Sequence, residues 1–261
     1  MTKTPRRGAR SRHPRSQPGA RKGLWLYGRH AVEAALANPT RSCHRLLATA
    51  DAYARLGARG TRPGVEVTTV ERTDLDRLLG EDTVHQGLAL SVAPLPKLEL
   101  KHACAPLPGR NLVLVLDQIN DPHNLGAILR SAAAFEVRAV VLPERGSGEL
   151  GGAAAKAASG ALDVVPVVEV VNLARALDDL AAQGYWRLAL DPKADATIDA
   201  IPETDDLALV LGAEGTGVRR LVAEHCDFVA RLPIAPQMPS LNVSVAAGIT
   251  LYALARRRGP G

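Results

Sequence analysis

The chain has 261 residues, of which 46% are hydrophobic and only 3% aromatic, so its core must be built mainly from Leu, Val and Ala. No apolar run approaches the ~20 residues that a membrane-spanning helix needs, which predicts a soluble protein with no membrane partner. Cys43, Cys104 and Cys226 lie far apart, without C-x-x-C spacing or clustered histidines. This spacing indicates neither a disulfide framework nor a metal site, and it favours a reducing cytoplasm.

The net charge of +5 is concentrated at the amino terminus. Residues 1–23 contain eight Lys or Arg and no acidic residue, which leaves 24 basic against 27 acidic residues in the rest of the chain. This segment is rich in Pro, Gly and Ser and almost devoid of apolar residues, which predicts a disordered basic tail. It lacks the amphipathic face of a transit peptide. We expect the tail to contact phosphates; the alternative is a solvated segment with no specific role.

In chain order, the first elements alternate between strands and helices. Leu26–Arg29 leads into a helix with apolar residues at helical spacing, which Asn38-Pro39 ends. The next segments predict a strand, a helix, a strand, a short helix with Thr73 as its N-cap, and a strand closed by prolines: HRLLAT, DAYARLGARG, VEVTTV, TDLDRLLG and GLALSVAPL. The alternation predicts a small α/β domain over residues 24–96. The proline-rich residues 97–108 predict an extended linker.

A second alternation begins at Asn111. The segment LVLVLD is apolar throughout, as expected of a parallel strand that is buried on both faces. A helix over residues 124–135 follows, and the pattern ends with a helix from Asn242 to about Arg257. Between them we predict the strands RAVVLP, VVPVVEV, WRLALD, LALVLG and FVARLPI and the helices AAAKAASGAL, NLARALDDLAAQG and VRRLVAEHC. The pattern predicts a parallel α/β domain over residues 109–258.

Gly146, Gly148 and Gly151 form the pattern G-x-G-x-x-G between a strand and a helix, with Glu169 downstream. In a dinucleotide-binding fold the first glycine follows the first strand directly. Here three residues intervene, two glutamates lie close by, and the strand is the second of its domain. We therefore interpret the segment as a surface loop, and an NAD-dependent oxidoreductase is a rival hypothesis that an NAD titration can dismiss.

The stretch LDQINDPHNLGAILRSAAAFE is the first of three that combine glycines with polar residues. Asn124 can cap the helix, Gly126 permits the close approach of another backbone, and Arg130 lies nearly two turns further along. The ordinary interpretation of a mid-helix Arg is a solvated or ion-paired side chain.

The other two stretches are LVLGAEGTGVRRL and LPIAPQMPSLNVSVAAGITLYALA. In the first, Glu214 and several glycines follow a buried strand, at the edge where open parallel sheets bind ligands. A turn that needs a positive φ would explain one glycine but not all of them. In the second, Ser240 and Asn242 precede an Ala- and Gly-rich helix. A plain N-cap is the simpler interpretation of Ser240.

Together the three stretches resemble the signature of the SPOUT superfamily of RNA methyltransferases, specifically its TrmH family of 2′-O-ribose methyltransferases. The resemblance covers the whole second half in order, through NLGAILR, LVLGAEGTG and SLNVSVAAG, and AAAKAASGALDVVPV is similar to the family's segment between the first two. The first domain, with YGRHAVEAAL and HQGLAL, resembles the ribosomal-protein-like α/β domain of members that methylate 23S rRNA. The resemblance makes it an RNA substrate-binding domain.

The resemblance implies S-adenosylmethionine-dependent 2′-O-methylation of a guanosine ribose in 23S rRNA, by a homodimer. It also implies a carboxyl-terminal trefoil knot that forms the S-adenosylmethionine site. A TrmH-family enzyme acting on tRNA and a catalytically idle RNA-binding homologue are the alternatives. Because residues 109–258 hold 14 basic against 18 acidic residues, RNA affinity must come from local basic patches, the first domain and the tail.

A ribose hydroxyl is a poor nucleophile, so its methylation needs positioning and stabilisation of the developing alkoxide. A guanidinium stays protonated, so we assign Arg130 to electrostatic stabilisation rather than to a free base. Pro236, where relatives commonly have a nearby glycine, and Pro239 leave the conformation of their loop open. The resemblance implies a catalytic group of Asn124, Arg130, Glu214, Ser240 and Asn242. It implies cofactor contacts at Gly212, Leu232, Ile234 and Leu241.

Overall fold

The computed structural model describes residues 23–147 and 150–256. Apart from Gly23, the basic tail of residues 1–23 lies outside the described residues, and so does Gly148 of the glycine pattern. The expectations that concern them stay predictions.

The first domain is a four-stranded mixed sheet with the strand order β1-β4-β2-β3. Strand β4 is antiparallel to both of its neighbours, and β2 is parallel to β3. The strands are β1 (Leu24–Tyr27), β2 (Cys43–Ala48), β3 (Glu66–Thr69) and β4 (Leu88–Val92), and the helices are α1 (Arg29–Ala37), α2 (Ala50–Leu56) and α3 (Arg72–Leu79). The predicted α/β character is therefore confirmed.

The start of α3 differs from the prediction that Thr73 is its N-cap. The helix begins at Arg72, and Glu71 is the N-cap residue. The Glu71 backbone N–H donates to the Asp74 carboxylate at 3.2 Å, as in a capping box. The prediction of Thr73 as the N-cap was wrong because Glu71 and Asp74 form a capping box that starts the helix two residues earlier.

The linker of residues 97–108 is not extended throughout. Residues Leu100–Ala103 form a short helix, α4. Cys104 follows it and is fully buried, and its carbonyl oxygen accepts a hydrogen bond from the Tyr185 hydroxyl at 2.9 Å. The prediction of an extended linker was wrong here because the apolar side chains of this segment pack on the second domain.

The second domain is built on a six-stranded, fully parallel sheet with the order β10-β8-β9-β5-β6-β7. Its strands are β5 (Asn111–Asp117), β6 (Ala139–Pro143), β7 (Val167–Val170), β8 (Trp186–Leu190), β9 (Asp206–Gly212) and β10 (Phe228–Ala230). Its helices are α5 (Pro122–Ala134), α6 (Gly152–Ala158), α7 (Leu173–Ala181), α8 (Arg220–Ala223) and α9 (Val243–Arg256). The parallel α/β prediction is confirmed, whereas the trefoil knot stays a prediction.

Strand β5 shows how the sheet divides the core. Leu112, Leu114 and Leu116 belong to an apolar cluster with residues of α5 and α9, whereas Val113 and Val115 belong to a second cluster with residues of α7. Alternate side chains of a strand point to opposite faces, so both faces of this strand are covered by helices. The first cluster continues into the first domain through buried residues of α1.

A buried ion pair joins the two domains. Arg41, in the first domain, donates from Nε and Nη2 to the two carboxylate oxygens of Asp163, at 2.8 and 3.1 Å. Both side chains are only 1% exposed, and Asn38 donates to the same carboxylate at 3.0 Å. Because a buried charge is costly without a partner, this contact ties the position of the first domain to the second.

The three cysteines are free; Cys104 is buried, and Cys43 and Cys226 are partly buried. Burial raises the pKa of Cys104 and of Cys226 to about 12, and burial is also the main cause that raises the pKa of Cys43. Since the thiolate is the reactive form, we expect all three to react slowly with a disulfide reagent at about pH 8 and rapidly after unfolding. Thiol titration with and without denaturant checks this; fast labelling of native Cys104 would contradict it.

Candidate active site

A cavity of about 350 Å³ opens at the carboxyl ends of β8 and β9. Ligands bind parallel α/β sheets at this edge, and the volume is in the lower range for small-molecule sites. The structure places six of the nine predicted site residues in its lining. These are Gly212, Leu232, Ile234 and Leu241, assigned to the cofactor, together with Glu214 and Ser240.

Two different constraints account for the three glycines at the end of β9 and in the loop that follows it. A Cβ at Gly212 would overlap the backbone of Gly217 and Val218, so only glycine lets the loop fold back here. The Gly217 N–H donates to the Ala213 carbonyl oxygen at 2.8 Å and closes the turn. Positive φ angles, 83° at Gly215 and 69° at Gly217, account for the other two. The turn interpretation therefore explains two glycines and close approach explains the third.

A buried carboxylate holds this loop in place. Asp117, the last residue of β5, is fully buried. It accepts hydrogen bonds from the Arg219 backbone N–H at 2.9 Å and from the Arg219 Nε at 2.8 Å. The charged contact fixes the loop between Gly212 and Arg219 against the neighbouring strand, which positions Glu214 at the cavity.

Asn242 connects the three sequence stretches. Its Nδ2 donates to Asn124 Oδ1 at 3.0 Å and to Glu214 Oε2 at 3.4 Å. Its Oδ1 accepts from the Ser244 backbone N–H at 2.9 Å and caps α9. Ser240 is therefore not the cap of this helix. The structure brings Asn124, Glu214 and Asn242 together, beside the cavity that Ser240 lines.

Asn124 does not cap α5, contrary to the prediction. The helix begins at Pro122, and Asp121 caps it by accepting from the His123 backbone N–H at 2.9 Å. Asn124 thus lies in the first turn, and its side chain is available to Asn242. Gly126 has the expected role, because a Cβ there would lie 2.6 Å from the Ala154 carbonyl oxygen of α6.

Arg130 stands apart from the other predicted catalytic residues. It is exposed on α5 and does not line the cavity. Its side chain makes no hydrogen bond or ion pair with any residue of the described ranges 23–147 and 150–256. Its guanidinium therefore has all its donors available for an incoming anion.

The loop with the two prolines is accommodated by a turn. The Met238 N–H donates to the Ala235 carbonyl oxygen at 3.0 Å, which places Pro236 second in the turn, where its fixed φ fits. Pro239 lines the cavity next to Ser240. Both prolines are therefore compatible with a formed pocket.

Several lining residues were missed by sequence reasoning. Leu190, Pro192 and Lys193, at and just after the end of β8, also line the cavity. The carboxyl end of a parallel strand was the signal that could have found them, once β8 was known to neighbour β9. Lys193 adds a positive charge opposite in sign to Glu214 among the lining residues.

The close fit at Gly212 predicts a large effect of a single methyl group. The S-adenosylmethionine that the resemblance implies should bind at least tenfold more weakly to Gly212→Ala, because the loop from Ala213 to Val218 must move away. Gly248→Ala is the matched control, since its Cβ would make an ordinary 3.5 Å contact with Ser131 Oγ. Isothermal titration calorimetry measures both affinities. Wild-type affinity in Gly212→Ala would show that the loop does not form the binding wall.

The described part of the chain contains no cluster of three or more His, Cys, Asp or Glu side chains that could hold a metal ion. None of its helices is long and apolar enough to cross a membrane.

Two family models cover most of the chain. The SpoU rRNA Methylase family matches residues 111–252, and the RNA 2′-O ribose methyltransferase substrate-binding family matches residues 25–98. Among solved structures, the methyltransferase AviRb of Streptomyces viridochromogenes, in complex with S-adenosylmethionine, is 22% identical with a TM-score of 0.78, over 92% of each chain. This likeness confirms the fold.

Curated relatives are similar along almost their entire length. The 23S rRNA (guanosine-2′-O-)-methyltransferase RlmB of Xanthomonas campestris is 39% identical over 92% of this chain and 98% of the relative. RlmB of Pseudomonas aeruginosa is 41% identical over 90% of this chain and 97% of the relative. With the family match over the second domain, this similarity shows that the chain belongs to the SpoU, or TrmH, family of RNA methyltransferases.

Proposed function

We propose that the protein transfers a methyl group from S-adenosylmethionine to the 2′-hydroxyl of a guanosine ribose in 23S rRNA. The observation that carries the proposal is the meeting of Asn124, Glu214 and Asn242 beside the glycine-walled cavity. The near-full-length similarity to RlmB enzymes supports the substrate. A substrate in rRNA also agrees with the cytoplasmic location expected from the cysteine spacing.

The cavity suits S-adenosylmethionine in its size and in the residues of its lining. Its walls combine the backbone of Gly212 with the apolar side chains of Leu232, Ile234 and Leu241. Such walls accept an adenosine through backbone groups and apolar contact. The Glu214 carboxylate complements a positively charged ligand. Once bound, S-adenosylmethionine supplies the electrophilic methyl group.

The chain's own residues then position and stabilise the ribose oxygen. Asn242 holds Asn124 and Glu214 in one polar group, so that hydrogen bonds to the ribose are directed without reorganisation. Ser240 adds a hydroxyl at the same cavity. Arg130 offers a guanidinium to the alkoxide that develops as the 2′-oxygen attacks. An RNA phosphate or water takes up the hydroxyl proton, since Arg130 cannot act as a base.

We also propose that the protein is a homodimer that pairs through α9. Val245, Ile249 and Tyr252 form a row on this helix and are 48%, 45% and 51% exposed. Their spacing puts them on one helical face, and an apolar row of this kind is typical of an interface. Helix α9 packs on α5, which carries Arg130, so a partner seated on this row would lie close to the site. Sedimentation equilibrium measures the mass in solution, which should be that of two chains; the mass of one chain would contradict the proposal.

The function is tested by methyl transfer from radiolabelled S-adenosylmethionine to 23S rRNA and tRNA purified from cells that lack ribose methylation. The label should appear on one guanosine 2′-oxygen of 23S rRNA. Label on tRNA instead would keep the reaction and overturn the substrate. Absence of label from both RNAs and from assembling large subunits, with cofactor still bound, would favour a catalytically idle RNA-binding protein.

A further inference from the structure

A second cavity, of about 530 Å³, lies in the first domain and shares no lining residue with the active-site cavity. We name it the arginine cleft. It is defined by the three arginines in its lining, Arg29, Arg55 and Arg72, and by Gln86 and Gly87. Asp51 and Glu71 also line it.

The arginines of this domain differ in how their charge is satisfied. Residues 24–96 contain eight arginines. Six of them contact carboxylates or backbone carbonyl oxygens: Arg29, Arg41, Arg45, Arg59, Arg62 and Arg77. The side chains of Arg55 and Arg72 have no hydrogen bond or ion pair with any described residue, and both residues are exposed. The two arginines whose side chains lack a direct partner among the described residues therefore both line the same cleft.

A buried histidine holds one of the residues that line the cleft. His85 is fully buried, its Nδ1 accepts from the Gly87 N–H at 3.0 Å, and its Nε2 lies 2.9 Å from Asp76 Oδ1. Because Nδ1 is an acceptor, Nε2 carries the proton and donates to Asp76. Gln86 is held at a φ of 56°, which is rare for a side-chain-bearing residue. Strain of this kind persists where surrounding contacts maintain it, and it concentrates at binding sites.

The cleft is joined directly to the catalytic domain. Gln86 Oε1 accepts from the Arg29 backbone N–H at 3.0 Å and from Lys156 Nζ, on α6, at 2.8 Å. Burial lowers the pKa of Lys156. Helix α6 packs on α5, the helix that carries Asn124 and Arg130. A ligand bound in the cleft is thus held at a fixed position relative to the reacting groups.

We propose that the arginine cleft binds phosphate groups of the RNA substrate, away from the ribose that is methylated. This inference rests on the proposed function and adds residues that bind the RNA backbone. Arg55 and Arg72 would bind backbone phosphates, for which the guanidinium fork is well shaped. Asp51 and Glu71 would accept hydrogen bonds from ribose hydroxyls or base amino groups. The mixed lining therefore suits an RNA strand better than a purely anionic ligand.

The test compares two double variants that each remove two arginines from the first domain. Arg55→Ala/Arg72→Ala removes the two cleft arginines that lack a direct partner. The control, Arg45→Ala/Arg77→Ala, removes two exposed arginines that already have acidic partners. Filter binding of transcribed 23S rRNA, at several salt concentrations, reports the affinity and its salt slope. The cleft variant should bind roughly tenfold more weakly and lose about 1.5 from the slope, since each lost phosphate contact removes 0.7–0.9. The control should stay near wild type in both.

Separate readouts distinguish failure of this inference from failure of the proposed function. The affinity of the cleft variant for S-adenosylmethionine, and its rate at saturating RNA, should stay within about twofold of wild type if the cleft only binds RNA. Equal weakening in the two double variants, or none in the cleft variant, overturns the inference. A cleft variant that loses binding of poly-glutamate as strongly as binding of rRNA points to an acidic protein and also overturns it. A wild-type protein that binds rRNA through the cleft but methylates no RNA overturns the function alone.

Discussion

Replacing Arg130 with alanine is expected to lower methyl transfer by about a hundredfold or more, the usual cost of removing a donor to a developing oxyanion. The affinity for S-adenosylmethionine should stay within about threefold of wild type, because Arg130 does not line the cavity. The expected separation of the two effects comes from its placement, exposed on α5 and without a partner among the described residues. Its interactions would then form only when RNA is present.

Single-turnover methyl transfer and calorimetric titration of the cofactor measure the two effects separately. Arg175→Ala is the matched control, since Arg175 is an exposed arginine on α7, which packs with the second apolar cluster. Arg130→Lys keeps the charge but loses the planar fork and should fall between alanine and wild type. Full activity in Arg130→Ala would exclude Arg130 from the mechanism.

The sequence was most informative about elements that repeat a simple pattern. Strand β5 is apolar at every position between its polar ends, and this predicted a strand covered on both faces. The cavity could be placed because glycines and Glu214 follow β9 at the edge where parallel sheets bind ligands. Both predictions depend on local sequence and on a general property of parallel sheets, so no long-range contact had to be known.

The roles of individual polar residues were harder to predict. Asp121 and Asn124 are both good N-cap residues, and only the structure shows that Asp121 caps α5 while Asn124 contacts Asn242. Ser240 and Asn242 pose the same ambiguity at α9, where Asn242 is the cap. Such neighbours satisfy a helix start almost equally well, so the choice depends on which side chain finds a tertiary partner.

Contacts between distant segments had no local signal. Asp117 and Arg219 are 102 positions apart, and nothing in the residues beside either one indicates the other. Chain threading has no periodicity of its own, so the trefoil knot rests on the family resemblance. The sequence likewise could not show which of the eight arginines of the first domain lack a direct side-chain partner, because several of the partners lie on distant segments.

The buried pair of Arg41 and Asp163 predicts the largest effect on stability. Asp163→Ala should lower the free energy of unfolding by about 3–5 kcal/mol, because it leaves the Arg41 guanidinium buried and unpaired. The Asn38 amide loses an acceptor in the same step. Urea unfolding measures the loss, and the melting temperature should fall by roughly 10 °C. Arg77→Ala is the control; the exposed pair with Asp74 that it removes should contribute under about 1 kcal/mol.

A double replacement separates the cost of an orphaned charge from the value of the pair itself. Arg41→Met/Asp163→Leu removes both charges and fills the space with apolar side chains, so it should recover most of the stability lost in Asp163→Ala. The Arg41 Nη1 bond to the Ala93 carbonyl oxygen, at 3.2 Å, is lost in this variant, which leaves a small deficit. If Asp163→Ala loses less than about 1 kcal/mol, the pair is not what holds the first domain in place. If the double variant is as unstable as Asp163→Ala, the loss does not come from a buried, unpaired charge. The hydrogen-bonded geometry of the pair itself would then hold the first domain on the catalytic domain.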